Sequence, residues 1–216
     1  MADYMRDEDE QAELLKEWWQ KNGTAAIITV VLAVAALIGW REWQGHQGEQ
    51  SSEASKQYQV MVEALTAQQV DEAAVNKQAQ ALKDDFPGSA YAGYATLAQA
   101  RLAVQAGEYD KAASLLQDVA DNGATDALTY TARLRLVRVL LQQQAYDKAA
   151  AELDHSFPAA FNGMALELRG DLAKARDDQQ AATEAYTQAL ETLQDNGEKD
   201  RVQMKLDDLK LSLIHI

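Results

Sequence analysis

Cysteine is absent from this sequence of 216 residues, and proline is nearly absent. Without a thiol, the chain forms no disulfide and has neither a thiolate nucleophile nor a thiolate metal ligand. Only two prolines and 11 glycines interrupt a sequence rich in alanine, leucine, glutamine and glutamate, which favours helices. The composition therefore predicts an all-α fold.

Basic residues are also scarce, because 20 lysines and arginines face 34 aspartates and glutamates, for a net charge of -14. A protein that neutralises phosphates needs a surplus of cations, so we expect no nucleic-acid partner. The three histidines, His46, His155 and His215, lack the spacing of metal ligands. We therefore expect no metal and no other cofactor.

One long segment, residues 22–40, "NGTAAIITVVLAVAALIGW", carries no charge. As a helix it would span about 28 Å, close to the roughly 30 Å hydrocarbon core of a bilayer. Tryptophan and basic residues, which favour membrane interfaces, lie at its two ends: Trp18, Trp19 and Lys21 at the first, and Trp40, Arg41 and Trp43 at the second. We predict a transmembrane helix at residues 22–40.

A cleavable signal peptide is the main alternative for this segment. The preceding residues 1–21 are acidic, the apolar run exceeds the usual 7–15 residues, and no small-residue cleavage motif follows Gly39. We therefore expect an uncleaved anchor behind a leader of residues 1–21. Arg6, Lys16 and Lys21 give the leader a small excess of cations over the other flank, which favours a cytoplasmic N-terminus. Residues 41–54 are predicted to be a linker or a continuation of the helix.

Residues 55–210 show helical patterns that are interrupted at regular intervals. The helix breakers "FPG" at 86–88, "DNG" at 121–123, "FP" at 157–158 and "DNG" at 195–197 begin 35, 36 and 38 residues apart. Weaker breaks near 105–110, 143–147 and 176–180 divide each interval into two helices. A helix pair every 35 residues or so predicts an α-solenoid of helical hairpins.

The segment "YDKAA" occurs twice, at 109–113 and at 146–150. Consecutive helical residues point about 100° apart, so its Tyr, Asp and Lys do not converge on one substrate atom, as acid-base chemistry would require. We expect both copies to begin a second helix, with Ala112 and Ala149 where two helices approach closely. No other group suggests catalysis, and we expect no enzymatic activity.

The hairpin pattern resembles tetratricopeptide repeats, which place small and aromatic residues at fixed offsets. The last copy matches best, and the earlier copies are degenerate, with Leu116 and Leu153 at the aromatic position and Ala100 and Val137 where glycine is commonest. The matching residues of the last copy are Gly170, Ala173, Ala182, Tyr186 and Ala189.

Arg133 lies on the apolar stripe of "TARLRLVRVLLQQ", whereas Arg135 and Arg138 are predicted to face away. Two interpretations of Arg133 remain open. Its stem packs while its guanidinium pairs with a neighbouring acid, or it lines a groove and binds a carboxylate or the backbone of a polypeptide. Tyr91 and Tyr94, on the preceding first helix, are candidates for the same protein-binding groove or for packing.

The block "KEWWQKNGTAAIITVVLAVAALIGWREWQGHQ" resembles the start of the YfgM-type ancillary subunits of the bacterial SecYEG translocon. The resemblance implies an inner-membrane protein with a cytoplasmic N-terminus and a periplasmic tetratricopeptide-like domain. It also implies the SecYEG translocon and a PpiD-type periplasmic chaperone as partners, nascent secretory polypeptides as clients, and no catalytic residue. The alternative is a membrane-anchored scaffold for another cell-envelope complex.

The last six residues, "LSLIHI" at 211–216, depart from both the repeat pattern and this resemblance. Their codons can be written as CTG TCT CTT ATA CAC ATC, the transposase mosaic end used in sequencing libraries. We therefore expect an adapter-derived tail, with the true C-terminus near Lys210 or beyond.

Overall fold

In a computed structural model, the backbone is described for residues 2–214 and the side chains for residues 12–211. Between residues 2 and 214 the chain forms nine helices, which confirms the predicted all-α class. It divides into two compact units, Met1–Ser52 and Glu53–Ile216, and each is described by itself. The end of the suspected tail, residues 215–216, and the side chains of residues 212–216 lie outside the described residues.

The first unit consists of one helix. Helix α1, Ala2–Thr66, contains the whole uncharged segment, and residues 41–54 continue it without a break. The large apolar side chains of the uncharged segment, among them Val30 and Leu37, are about half exposed or more. The one hydroxyl of residues 25–40, that of Thr29, donates to the carbonyl of Ala25 at 2.9 Å. The helix is therefore long and apolar enough to cross a membrane.

The second unit begins with the end of α1 and continues with helices joined by short turns. These helices are α2 (Glu72–Asp85), α3 (Ala90–Gln105), α4 (Tyr109–Asn122), α5 (Asp126–Gln142), α6 (Tyr146–Leu153), α7 (Ala159–Ala175), α8 (Gln179–Thr192) and α9 (Asn196–Ile214). Neighbours in sequence pack together as antiparallel hairpins, and the first helices α3, α5 and α7 also contact one another in order. This is the predicted solenoid.

The helix boundaries follow the predicted breaks closely, with two differences. The break at residues 67–71, between α1 and α2, has neither glycine nor proline, and the sequence pattern did not predict it. There the carboxylate of Asp71 accepts a hydrogen bond from the backbone N–H of Ala74 at 2.9 Å, which caps α2. The second "DNG" contributes Asn196 and Gly197 to the first turn of α9, so that break lies slightly earlier, at residues 193–195.

The turns of three hairpins share one backbone geometry. Gly107, Gln144 and Asp177 each lie two residues before the second helix and have positive φ angles of 75°, 58° and 60°. The N–H of the following residue donates to a carbonyl five positions back in each turn, from Glu108 to Ala103, from Ala145 to Leu140 and from Asp178 to Ala173. The repeated geometry shows that these helix pairs are equivalent units.

Packing within the hairpins explains the two forms of the repeat. Ala112 and Ala149, the predicted close-approach residues, are fully buried. In the last hairpin, a Cβ added to Gly170 would lie 2.4 Å from the ring of the fully buried Tyr186. Glycine is therefore required opposite this tyrosine. Where leucine replaces the tyrosine in the earlier hairpins, the first helix carries alanine or valine instead, so the total volume is preserved.

A buried charge network joins α7, α8 and α9. The carboxylate of Glu167, which is 2% exposed, accepts hydrogen bonds from Arg201 at 2.8 and 2.7 Å and from Lys205 at 2.8 Å. Lys205 also donates to Asp171 at 2.7 Å, and so does the hydroxyl of Tyr186. We call these five residues the α7–α9 charge network. It fixes α9 against the last hairpin.

The pKa of Glu167 reflects two opposing effects. Burial alone would raise this pKa, but the hydrogen bonds and positive charges of Arg201 and Lys205 outweigh it and lower the value to about 2. For Tyr186, burial and the hydrogen bond to Asp171 both raise the pKa above its usual value. The carboxylate therefore stays ionised and the phenol stays neutral at physiological pH.

Candidate protein-binding groove

Two cavities lie side by side between α3 and α5. The first, of about 370 Å³, lies over Leu116 of α4, and the second, of about 290 Å³, reaches Tyr58 and Leu65 at the end of α1. Both are lined by Leu97, Arg101 and Arg135, so the two cavities adjoin along α3 and α5. We call the two adjoining cavities together the inner groove. Its volume is in the range of ligand-binding clefts.

Three arginines converge on the inner groove. Arg101 comes from α3, whereas Arg135 and Arg138 come from successive turns of α5, and all three remain exposed. The salt bridges among the described side chains include none of the three. Burial, followed by the positive charges of Arg138 and Arg101, lowers the pKa of Arg135. The groove is therefore a site of uncompensated positive charge in an acidic protein.

An aromatic cluster forms the other end of the groove. The ring of Tyr58 lies 5.5 Å from that of Tyr91 and 6.0 Å from that of Tyr94. Tyr94 is 44% exposed and lines the second cavity, as does Tyr58. Tyr91 instead packs partly buried against the core formed by α1, α2 and α3. Of the two predicted tyrosines, the structure thus brings only Tyr94 to the groove.

Arg133 lies on the opposite side of α5. It is 7% exposed, its guanidinium is 2.5 Å from the carboxylate of Glu152, and it donates to the carbonyl of Ala120 at 3.3 Å. These partners belong to the second helices α4 and α6. Residues 133 and 135 are about 200° apart around the helix, so the structure separates Arg133 from Tyr94 and places Arg135 beside it.

Sequence reasoning missed the groove arginines although a signal for two of them was present. Arg101 and Arg138 each lie eight residues before the tyrosine of a "YDKAA" segment, so they occupy one repeat position. The sequence gives no signal for Tyr58. It lies before the first predicted break, in a part of the chain to which no repeat position is assigned. Aligning the two repeats on their "YDKAA" segments and comparing the residues upstream shows that Arg101 and Arg138 are equivalent.

The "YDKAA" segments begin α4 and α6, as predicted. Asp110 accepts a hydrogen bond from Gln143 at 2.7 Å, and Asp147 accepts one from Arg176 at 2.7 Å. Gln143 and Arg176 are the C-cap residues that directly follow α5 and α7, the first helices of the next hairpins. The repeated aspartate therefore joins consecutive hairpins, a role that the sequence did not indicate.

The predicted membrane-flanking residues all lie on α1. The rings of Trp18 and Trp19 are 6.4 Å apart, those of Trp40 and Trp43 are 5.2 Å apart, and all four are more than half exposed. Lys21 and Arg41 are exposed next to them. The two ends of the apolar run therefore carry the side chains that membrane interfaces favour.

Within the part of the chain whose side chains are described, no group of three histidine, aspartate or glutamate residues is arranged to hold a metal ion. The groove itself is lined by arginine, tyrosine and aliphatic side chains. Such a lining suits contact with another polypeptide.

Equivalent helical hairpins with an open groove between their first helices define a tetratricopeptide-type repeat protein, which here follows a single long apolar helix. Residues 16–211 match the family described as "Tetratricopeptide repeat-like domain", and the chain belongs to this family. No solved structure matches the chain.

Curated relatives make the assignment more specific. The chain is 31% identical over 209 residues to a protein named "Ancillary SecYEG translocon subunit" from Haemophilus influenzae, covering 95% of this chain and 99% of the relative. Proteins of the same name from Neisseria gonorrhoeae and Escherichia coli are 32% and 31% identical, with 94% and 95% of this chain and 98% of each relative covered. The chain belongs to the same family as these relatives.

Proposed function

We propose that this protein is a non-enzymatic ancillary subunit of the SecYEG translocon that binds other proteins through its repeat domain. The observation that carries the proposal is the end-to-end similarity to relatives of that name, which includes both the apolar helix and the repeats. The inner groove supports the protein-binding part, since solenoids commonly bind polypeptides between their first helices.

The proposed location is the bacterial inner membrane, with residues 22–40 as a single span. Three bases precede the span, and Arg41 and Lys56 follow it, which supports a cytoplasmic N-terminus and a periplasmic repeat domain. Reporter fusions at each end test this orientation. A C-terminal reporter that is active only in the cytoplasm would contradict it.

The proposed role is to connect translocation with a PpiD-type periplasmic chaperone and to receive nascent secretory polypeptides. The accessible groove beside Tyr94 supports direct contact with such chains. The alternative is a scaffold for another envelope complex, which would contact folded subunits but no secretory chains. Photocrosslinking from position 94 distinguishes the two, because a scaffold yields only folded subunits, whereas the proposed role yields secretory chains as well.

Affinity purification of the full chain in mild detergent is the test of the proposed function. We expect translocon subunits to co-elute, and an unrelated single-span membrane protein of equal abundance to retain none of them. A variant in which residues 22–40 are replaced by polyleucine shows whether the span or the repeat domain binds the translocon subunits. Absence of translocon subunits from the wild-type eluate would contradict the proposal.

A further inference from the structure

We propose that the inner groove binds an acidic segment of a partner polypeptide, with carboxylates held by Arg101, Arg135 and Arg138 and an apolar side chain seated between α3 and α5. The inference rests on the proposed function, in which the repeat domain binds proteins, and it specifies the chemistry of the bound chain.

The first argument is the distribution of charge. Residues 53–211 contain seven arginines, and four of them have partners within the fold. Arg133, Arg176 and Arg201 pair with carboxylates, and Arg169 donates to the carbonyl of Leu153. The three arginines that have no such partner among the described side chains are the three that line one groove. Their charges are therefore available to a ligand.

The second argument is the cost of leaving these charges together. Like charges close to one another repel, and the pKa of Arg135 is lowered first by burial and then by the charges of Arg138 and Arg101. An anionic ligand removes the repulsion, and guanidinium groups bind carboxylates with paired hydrogen bonds. In a chain of net charge -14, these three arginines form a local positive surface that is complementary to an acidic segment.

The third argument is the apolar surface between the arginines. Leu97, Val104 and Val139 line the first cavity, and Tyr94 and Leu65 line the second. Cavities of about 370 and 290 Å³ accommodate side chains of a peptide rather than a small inorganic anion alone. Since the two cavities adjoin along α3 and α5, the groove fits a segment in which acidic and apolar residues are neighbours.

The experiment is a selection of peptides on the full-length protein in phosphatidylcholine nanodiscs. A phage-displayed library of random 12-residue peptides is selected on the wild type and, in parallel, on R135Q/R138Q. The affinities of the enriched peptides are then measured by fluorescence polarisation. The matched control is R176Q, which also removes an arginine charge but at the exposed pair with Asp147. Circular dichroism confirms that each variant is folded, and R135K/R138K provides a charge-preserving alternative.

We expect the wild type to enrich peptides that carry aspartate or glutamate beside leucine or an aromatic residue. Their affinity should fall at least about tenfold in R135Q/R138Q or when their acids become amides, because each charge-assisted pair contributes more than about 1.4 kcal/mol. R176Q should bind as the wild type does, and R135K/R138K should recover part of the loss. Measuring the affinity of a C-terminally amidated copy of each peptide shows whether the groove binds the terminal carboxylate or the side-chain carboxylates.

Any of three results of the peptide selection would overturn the inference: no enriched peptides, enriched peptides without acids, or equal affinity of the peptides for the wild type and R135Q/R138Q. Binding of phosphatidylglycerol vesicles by these arginines without acidic-peptide enrichment would also overturn it, in favour of a lipid. If translocon subunits co-purify but acidic peptides do not bind, the inference fails and the proposed function stands. If acidic peptides bind but no translocon subunit co-purifies, the proposed function fails and the binding of acidic segments by the groove stands.

Discussion

Arg133 and Arg135 lie two residues apart on α5 and have opposite surroundings. Arg133 is buried and bound to Glu152 and to a backbone carbonyl, whereas Arg135 is exposed beside two other arginines and has no acidic partner among the described side chains. The α7–α9 charge network extends the first pattern, because each of its charges is paired. The comparison indicates that paired charges stabilise the solenoid, whereas the groove charges are available for binding.

The largest effect on stability is expected at the centre of the α7–α9 charge network. E167Q leaves Arg201 and Lys205 without their shared buried carboxylate, so the free energy of unfolding should fall by about 3 kcal/mol. Urea denaturation of the full chain in detergent, followed by circular dichroism, measures the change. E184Q makes the same substitution at an exposed position of α8 and should change stability by less than about 0.5 kcal/mol. Equal effects of the two substitutions would show that the network contributes nothing.

Arg133 is expected to have the next largest effect. R133Q leaves Glu152 partly buried without its cation and should destabilise the chain by about 2 kcal/mol. The matched control is R138Q on the same helix, which removes no described salt bridge. If R138Q lowers the melting temperature as much as R133Q does, the distinction between the two faces of α5 is wrong.

Acid should weaken the α7–α9 charge network in a defined pH range. The folded pKa of Glu167, about 2, is below its ordinary value of 4.5. Its contribution to stability is therefore complete above the ordinary pKa and is lost as the pH falls towards 2. Because of this, the difference in unfolding free energy between the wild type and E167Q should shrink by about 2 kcal/mol from pH 6 to pH 3. A difference that is constant with pH would contradict the assignment.

The smallest effect on stability is expected at the groove. R135Q removes a cation that is repelled by its neighbours and lacks a described acidic partner, so the free energy of unfolding should change by less than about 0.5 kcal/mol. The same denaturation measurements test this expectation. A loss near that of R133Q would mean that Arg135 has a structural role.

The repeat architecture was accessible from sequence because most of its breaks contain glycine, proline or a repeated turn. The break at residues 67–71 was not predicted, because "AQQVD" carries only one local signal, the cap at Asp71. The sequence also does not decide between a linker and a helix at residues 41–54, because Gly45 and Gly48 are poor helix formers. The structure shows that α1 continues through both.

The candidate site was harder to predict than the fold. The sequence predicts Tyr94 as a groove residue on a first helix, and in the structure Tyr94 lines the second cavity. The choice between Arg133 and Arg135, however, depends on which side of α5 faces α3 and which faces α4 and α6. Both sides bury apolar residues, Val137 one turn after Arg133 and Val139 one turn after Arg135, so hydrophobic periodicity alone does not distinguish them. The orientation of α5 is set by its contacts with helices of other hairpins, which the local sequence pattern does not show.

The most direct test of the account is photocrosslinking in native membranes from a benzophenone amino acid at position 94, beside Arg135. The wild type and R176Q should give the same adducts with translocon subunits, a periplasmic chaperone or secretory chains, whereas R135Q/R138Q should lose most of them without a change in stability. Equal adduct yields in all three proteins, or no protein adducts in the wild type, would contradict the account.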